Sequence, residues 1–273
     1  MSACQNSRGG LLKKQRNPKR SHRTLLPWRK RKYNMFTHAI ARKPGPNFAQ
    51  GITTAVNEKS PRYEVLVTQH QKYLAALKSI GLKVVLLEAL PDHPDAYFVE
   101  DTAVVTAEVA VITNPGAESR KGEEESIAPV LAQHRKTVSI QAPGTVDGGD
   151  VLQVGNHFFI GISERTNHEG AGQLSRILKD YGYTCTTIAV GERLHFKSSV
   201  NYVGNDTLLV TEDFVSKKQL KGYDAIVIDR QESYAANTLF VNNHLLIPRG
   251  YPGTLKKIEA LGFKIIELDT SEV

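Results

Sequence analysis

From Met35 onward one pattern of hydrophobic and polar positions recurs: two short strand-like runs around a polar turn, a stretch at helical spacing, then another strand-like run. In the clearest copy Val151 to Val154 and His157 to Ile160 flank the hairpin dipeptide Gly155-Asn156, a helix follows over Thr166 to Leu178, and a strand over Thr186 to Val190. An earlier copy pairs Ala103 to Val105 with Val109 to Thr113, ahead of a helix over Gly122 to Gln133 and a strand over Thr137 to Ala142. Downstream, Ser199 to Val203 and Thr207 to Thr211 flank Gly204-Asn205-Asp206, with a short helix over Phe214 to Leu220 and a strand over Ala225 to Ile228. The last copy sets Thr238 to Val241 and His244 to Pro248 around Asn242-Asn243, then a helix over Gly253 to Leu261 and a strand over Lys264 to Leu268. A fifth unit opens the series with strand Phe36 to Ala41, a Pro/Gly loop, helix Arg62 to Ile80 and strand Lys83 to Leu87, and is one strand short.

Units this small cannot bury an apolar face alone, and radial packing gives them a shared core. The pattern therefore predicts an α/β fold, a five-bladed pseudo-symmetric propeller of ββαβ units. The first unit lacks a hairpin strand and the chain stops at Val273 just after the last strand. The expectation is a ring incompletely closed at its C-terminal end, the closing strand belonging beyond Val273.

Charge divides the chain in two. Eleven of the 35 Lys+Arg lie in residues 1–34, which hold no acid, so residues 35–273 carry 24 basic against 28 acidic side chains and a formal charge of −4. Residues 1–34 read as a basic, disordered extension ahead of a propeller domain over 35–273, an upstream extension before Met35 being the favoured reading over a nucleic-acid or membrane-surface arm; a transit peptide would also be free of acids, but Leu11, Leu12, Leu25, Leu26 and Trp28 keep no helical period. The acidic body carries no field that would hold a phosphate backbone, so no nucleic-acid partner is expected for it. Apolar runs fall far short of the ~20 residues a membrane span needs. Two distant cysteines, Cys4 and Cys185, build neither a disulfide framework nor a metal site and point to a reducing compartment, the cytoplasm. Monomer and homodimer are both open.

The candidate chemistry falls at corresponding places in the repeat. Pro94 to Asp101 places Asp95, Glu100 and Asp101 at a loop-to-strand junction, where a solvated turn is the plain alternative. Asp147-Gly148-Gly149-Asp150 flanks paired glycines with acids, since glycine lets backbones approach closely; a simple hairpin lead-in would look similar, and a calcium loop would need further oxygen ligands. His195, in Arg193 to Ser198, is a lone histidine of a kind more often structural than catalytic. Arg120 and Arg165 each precede a helix, where a guanidinium could grip a carboxylate or simply be solvated. Glu100, Asp147 and His195 all stand where a new unit enters its hairpin, so in a ring they converge on one axial channel with arginines at its margin. A small substrate, cationic at one end and carboxylate at the other, suits such a channel. Arginine or a relative fits.

At these residues the sequence resembles the dimethylarginine dimethylaminohydrolases, guanidino-group-modifying enzymes of the pentein type. The resemblance runs from about Met35 to Val273 and rests on PDAYFVEDTAV, ITNPGAESR, DGGDVL, GISERTN, LHFKS and AAN. It implies hydrolysis of N-ω-methylated arginine to citrulline and dimethylamine or methylamine, through a Cys-His-acid covalent mechanism with no cofactor and no metal. It implies that Asp95, Glu100 and Asp101 hold the guanidinium and neighbouring amine, and that Arg120 and Arg165 bind the α-carboxylate. In the same way Asp147 orients the imidazole or substrate, His195 is the general acid/base, and Phe48 belongs to a mobile lid. The family's nucleophilic cysteine lies just past the strand matching Lys264 to Leu268, where this chain ends, and Cys185 is no substitute. The chain as given is therefore expected to hydrolyse negligibly. An arginine deiminase or amidinotransferase relative and a non-catalytic arginine-binding protein are the alternatives.

Overall fold

The computed structural model describes residues 35–53 and 61–272. The expectation for residues 1–34 lies outside the described residues. The first unit comprises β1 (His38–Arg42), α1 (Tyr63–Ser79) and β2 (Lys83–Leu87). The second holds β3 (Ala103–Val105), β4 (Val109–Ile112), α2 (Ala128–Ala132) and β5 (Lys136–Ser139), and the third β6 (Val151–Val154), β7 (His157–Ile162), α3 (His168–Asp180) and β8 (Thr184–Ala189). Then come β9 (Val200–Tyr202), β10 (Thr207–Thr211), α4 (Glu212–Val215) and β11 (Asp224–Ile228), and finally β12 (Leu239–Val241), β13 (His244–Pro248), α5 (Pro252–Glu259) and β14 (Lys264–Leu268).

Four of the five sheets have three strands in one topology: an antiparallel hairpin, then a helical crossover to a parallel strand on the other side of the hairpin's second strand. Among the described residues the first sheet consists of β1 and β2 alone, paired in parallel across α1. The central strands β4 and β10 are buried along their length and β13 from Leu245 onward, which is why they read as continuous apolar runs rather than alternating ones. Asn205, Asp206, Asn242 and Asn243 all take positive φ, the conformation that two-residue hairpin turns require and that Asn and Asp tolerate best.

Two helices are shorter than their sequence patterns suggest. Over Gly122 to Gln133 the chain forms a 3-10 turn, Glu123–Ser126, and only five residues of α-helix. Gly122 is left-handed at φ 97°, and Pro129 can sit only in the first turn. Phe214 to Leu220 divides similarly into α4 and a 3-10 turn, with Phe214 and Leu220 in one apolar cluster. α3 begins two residues later than its apolar period, because Asn167 caps it by accepting from the Gly170 N–H at 2.8 Å.

Each of the five apolar clusters lies on a seam between neighbouring units. Ile112 and Leu131 of the second unit meet Ile40 and Leu87 of the first. Val111 meets Phe158 and Leu174, Phe159 meets Leu208 and Val210, and Leu209 meets Leu245 and Ile258. Leu77 of α1 and Ile80 at its C-cap then pack with Leu246 of β13 and join the last unit to the first. The circle of packing is continuous even though the first sheet has two strands. Beyond β14, Ser271 and Glu272 bond to Gln69 and Arg62 on α1 and at its N-cap. Among the described residues no helix is long and apolar enough to cross a membrane.

Leu77 and Leu174 test this ring. Either one changed to Ala should lower stability in urea denaturation by ~2–5 kcal/mol, as for any fully packed leucine. A much smaller loss at Leu77 alone would show that the seam between first and last units does not share in the cooperative fold.

Candidate active site

Three 3-10 turns meet at the point where successive units enter their hairpins: Val99–Thr102 before β3, Gly148–Asp150 before β6 and Phe196–Ser198 before β9. The paired glycines let them touch. A Cβ on Gly148 would lie 1.9 Å from the Glu100 carbonyl oxygen, and one on Gly149 would lie 2.8 Å from both Asp101 Oδ1 and His195 Cγ. Paired glycines permit close backbone approach, and this packing is what the motif makes possible.

Asp101 is buried at the centre. Its Oδ2 accepts from Arg120 Nη1 at 2.6 Å, its Oδ1 accepts from the Gly149 N–H at 2.6 Å, and His195 Nε2 stands 4.0 Å from Oδ1. Burial pushes its carboxyl up, but Arg120, His195 and the Gly149 N–H together hold it below the usual range. Asp150 is wholly buried and satisfied by the Phe196 N–H on Oδ1 and the Ser163 and Thr166 hydroxyls on Oδ2, at 2.6 to 2.8 Å.

His195 Nδ1 faces Asp150 Oδ2 at 3.8 Å, too far for a hydrogen bond and close enough for strong electrostatic attraction. Burial opposes the imidazolium, while Asp150, Asp101 and Asp147 outweigh it and raise the histidine pKa. Asp147, only 1% exposed, accepts the Gly116 N–H on Oδ1. Its Oδ2, like His195 Nδ1, is buried with no hydrogen-bond partner among the described residues. Burial first, and the Asp101 charge second, push the Asp147 pKa up to about 6.

The remaining expected residues are placed as follows. Glu100 lies at the rim, its side chain 63% exposed, and pairs with Lys197 Nζ at 2.9 Å. Asp95 is buried and accepts the Ile52 N–H on both oxygens, so it holds the Pro/Gly loop. Phe48, in that loop, is buried with its ring 6.1 Å from Tyr63. Arg165 is partly buried beside Gly116, and among the described residues its guanidinium has no hydrogen-bond or ion-pair partner.

Arg120 departs from expectation. Instead of standing at the margin with a free fork it is buried, bonded to Asp101, to both oxygens of Glu123 and to the carbonyls of Asp95 and Phe98. Its neighbours saturate it from inside the wall. Glu123, Asp150, Ser163 and Thr166 were not singled out from sequence. Asp150 carried a signal in the second acid of the Asp-Gly-Gly-Asp motif; Glu123 is one of three consecutive glutamates and carried none.

Asp101, Asp147 and His195 offer donor atoms within 4.8 Å of one another, a spacing a divalent ion can bridge. The Arg120 guanidinium already supplies a cation to Asp101, so the donor set fits a charge-compensated cluster better than a metal pocket. The described cysteine, Cys185, lies half-buried on β8, and burial pushes its thiol pKa up, the opposite of what a nucleophile needs.

Residues 47–246 match the family model described as N,N dimethylarginine dimethylhydrolase, eukaryotic. The chain is 42% identical over 240 residues to the N(G),N(G)-dimethylarginine dimethylaminohydrolase of Pseudomonas aeruginosa, covering 87% of this chain and 94% of that protein. The chain belongs to the dimethylarginine dimethylaminohydrolase family. A solved structure of the P. aeruginosa dimethylarginine dimethylaminohydrolase, a cysteine-to-serine mutant complexed with citrulline, superposes with a TM-score of 0.85 at 41% identity, over 87% of this chain and 94% of that one. The N-terminal domain of ArgZ, at 17% identity and a TM-score of 0.76 over 85% of this chain and 91% of that one, shares the pentein fold of these dimethylargininases.

Asp147 makes stability depend on pH. Its carboxyl moves from 3.8 to about 6 on folding, so between those values the folded state binds more protons and stability falls as pH rises through the window. Asp147→Asn should therefore stabilise the protein by ~1–3 kcal/mol at pH ~8 and hardly at all below pH ~4, read as the difference in denaturation free energy. Gly148→Ala should separate the turns and weaken both stability and ligand binding, and a fully stable variant with unchanged binding would contradict the packing described.

Proposed function

We propose that this site binds N-ω-methylated arginine and that the protein hydrolyses dimethylarginine to citrulline and dimethylamine. One observation carries the reading: three buried aspartates from two units surround a single imidazole, with the acceptor Asp147 Oδ2 unbonded among them and Glu100 at the rim. A guanidinium is planar, cationic and rich in N–H donors, so it complements that arrangement. Arg165, with a guanidinium unpaired among the described residues, supplies a partner for the α-carboxylate at the other end. Asp95 and Phe48 serve the loop that closes over the site, and Arg120 acts on the substrate side through Asp101.

Resonance makes the guanidinium carbon a poor electrophile, so carboxylates must grip its nitrogens and orient it for covalent attack. A cysteine thiolate adds to that carbon, and the C–N bond to dimethylamine breaks as His195 delivers a proton to the leaving nitrogen. The three aspartates raise the histidine pKa against the effect of burial, which favours the protonated form that delivers this proton. Water then adds to the S-linked carbon, giving His195 a proton, and the C–S bond breaks to release citrulline and the thiolate. The thiolate is the one the family resemblance places after the strand now seen as β14, since Cys185 stands on the wrong strand with the wrong protonation bias. With two cysteines in the chain, a reducing compartment such as the cytoplasm suits the chemistry.

Calorimetry with dimethylarginine and an assay of citrulline release test this. The protein should bind the ligand, and Cys185→Ala should leave binding and any citrulline release unchanged; a Gly-rich segment ending in Thr-Cys-Leu-Ser appended after Val273 provides a thiolate for the turnover assay. In that background His195→Ala should cut turnover by ~10²–10⁴ while sparing most of the binding, whereas Glu100→Gln should weaken both. Full turnover in the His195 variant would remove the proposed role.

A further inference from the structure

Glu123 is 1% exposed, an extreme position for a carboxylate that touches no expected substrate group. It faces Arg120, with Arg42, Asp95 and His93 as its other charged or titratable neighbours. Arg120 Nε lies 3.1 Å from both of its oxygens and Nη2 lies 2.7 Å from Oε2. Burial pushes this carboxyl's pKa up and outweighs the pull of the Arg120 guanidinium, while the two-nitrogen contact from a permanently charged arginine fixes where its oxygens point.

The Nε–Nη2 edge is one of the guanidinium edges that grip a carboxylate with two parallel bonds. Glu123 occupies it. Asp101 therefore receives one bond, Nη1 to Oδ2 at 2.6 Å, and its Oδ1 is left to accept the Gly149 N–H and to face His195 Nε2 at 4.0 Å. Were the edge free, Arg120 could turn both of its faces onto Asp101 and draw Oδ1 away from the imidazole. The charge balance points the same way, because Asp101, Arg120 and Glu123 together leave one net negative charge beside His195.

We propose that Glu123 is a positioning residue, which by holding the Nε–Nη2 edge of Arg120 limits Asp101 to one guanidinium bond and keeps its second oxygen turned to His195. The inference rests on the reading of His195 as the proton carrier, but its test reads the ionisation of His195 directly. The imidazole of His195 is faced by Asp101, Asp147 and Asp150, and all three remain in the variants used.

The histidine Cε1–H resonances of the full chain are titrated by NMR without substrate, with His195→Gln identifying the His195 signal. Glu123→Gln keeps the shape and removes the charge, and it should lower the His195 midpoint by about half a unit or more. Glu123→Asp keeps the charge but loses the reach to both nitrogens, and should give a smaller fall. A purely structural Glu123 would lower the denaturation midpoint of the Gln variant and leave the His195 midpoint within about 0.1 unit of wild type, which overturns the proposal. Should the Gln variant not fold, the Asp variant decides, and a wild-type midpoint there overturns it equally. Turnover plays no part in this readout, so a failed hydrolase assay and a failed Glu123 proposal are separate results.

Discussion

The structure depends on keeping four carboxylates, Asp101, Glu123, Asp147 and Asp150, out of water within a small volume. A lone ionised carboxylate in such a place costs several kcal/mol, and the surroundings are arranged to offset it. Arg120 serves Asp101 and Glu123 together; backbone N–H groups of Gly116, Gly149 and Phe196 serve Asp147, Asp101 and Asp150; two hydroxyls complete Asp150. The donors come from different units, so the network holds only if the units sit in register. What gives His195 its bias toward the protonated form is the same charge that must be compensated for the protein to fold.

Repetition explains why one place collects so many functional groups. Each unit buries its apolar residues on seams shared with its neighbours, and these seams are chemically alike around the ring. The turns that enter the hairpins of the second, third and fourth units meet at one place and are free to differ. The second unit contributes Glu100 and Asp101, the third Asp147 and Asp150, and the fourth His195. Packing is common property and chemistry is divided among the turns, so the site can be set by a few turn residues without disturbing the shared core.

Strands were the most legible feature of the sequence. β2, β3, β6, β10, β13 and β14 fall on the residues their apolar runs marked, because a buried central strand and its neighbours leave an uninterrupted imprint. Helices α2 and α4 were legible as positions but not as lengths: Pro129 and Gly122 cut the first, and the reach of Phe214 and Leu220 into one cluster shaped the second. Glu100, Asp147 and His195 could be grouped because each stands at an equivalent point of the repeat. Glu123 could not, since a glutamate leaves no periodic mark that tells a buried partner of arginine from a solvated one. Arg120 is legible in sequence as a candidate but its buried setting is not, because that environment is built by the segments around Asp95, Phe98 and Asp101, near in space and distant in sequence.

By itself the sequence determined the ββαβ unit, its number of copies and the turns at which chemistry could appear, because hydrophobic period and turn chemistry are local properties carried by neighbouring residues. Only the tertiary structure decided which oxygen of Asp101 faces His195, that Arg120 is clamped between two carboxylates, and that the buried Oδ2 of Asp147 has no hydrogen-bond partner among the described residues. Those outcomes depend on charge and dielectric at separations of a few ångströms between units. Such distances are set by the packing of the whole ring, and no short window of sequence contains them.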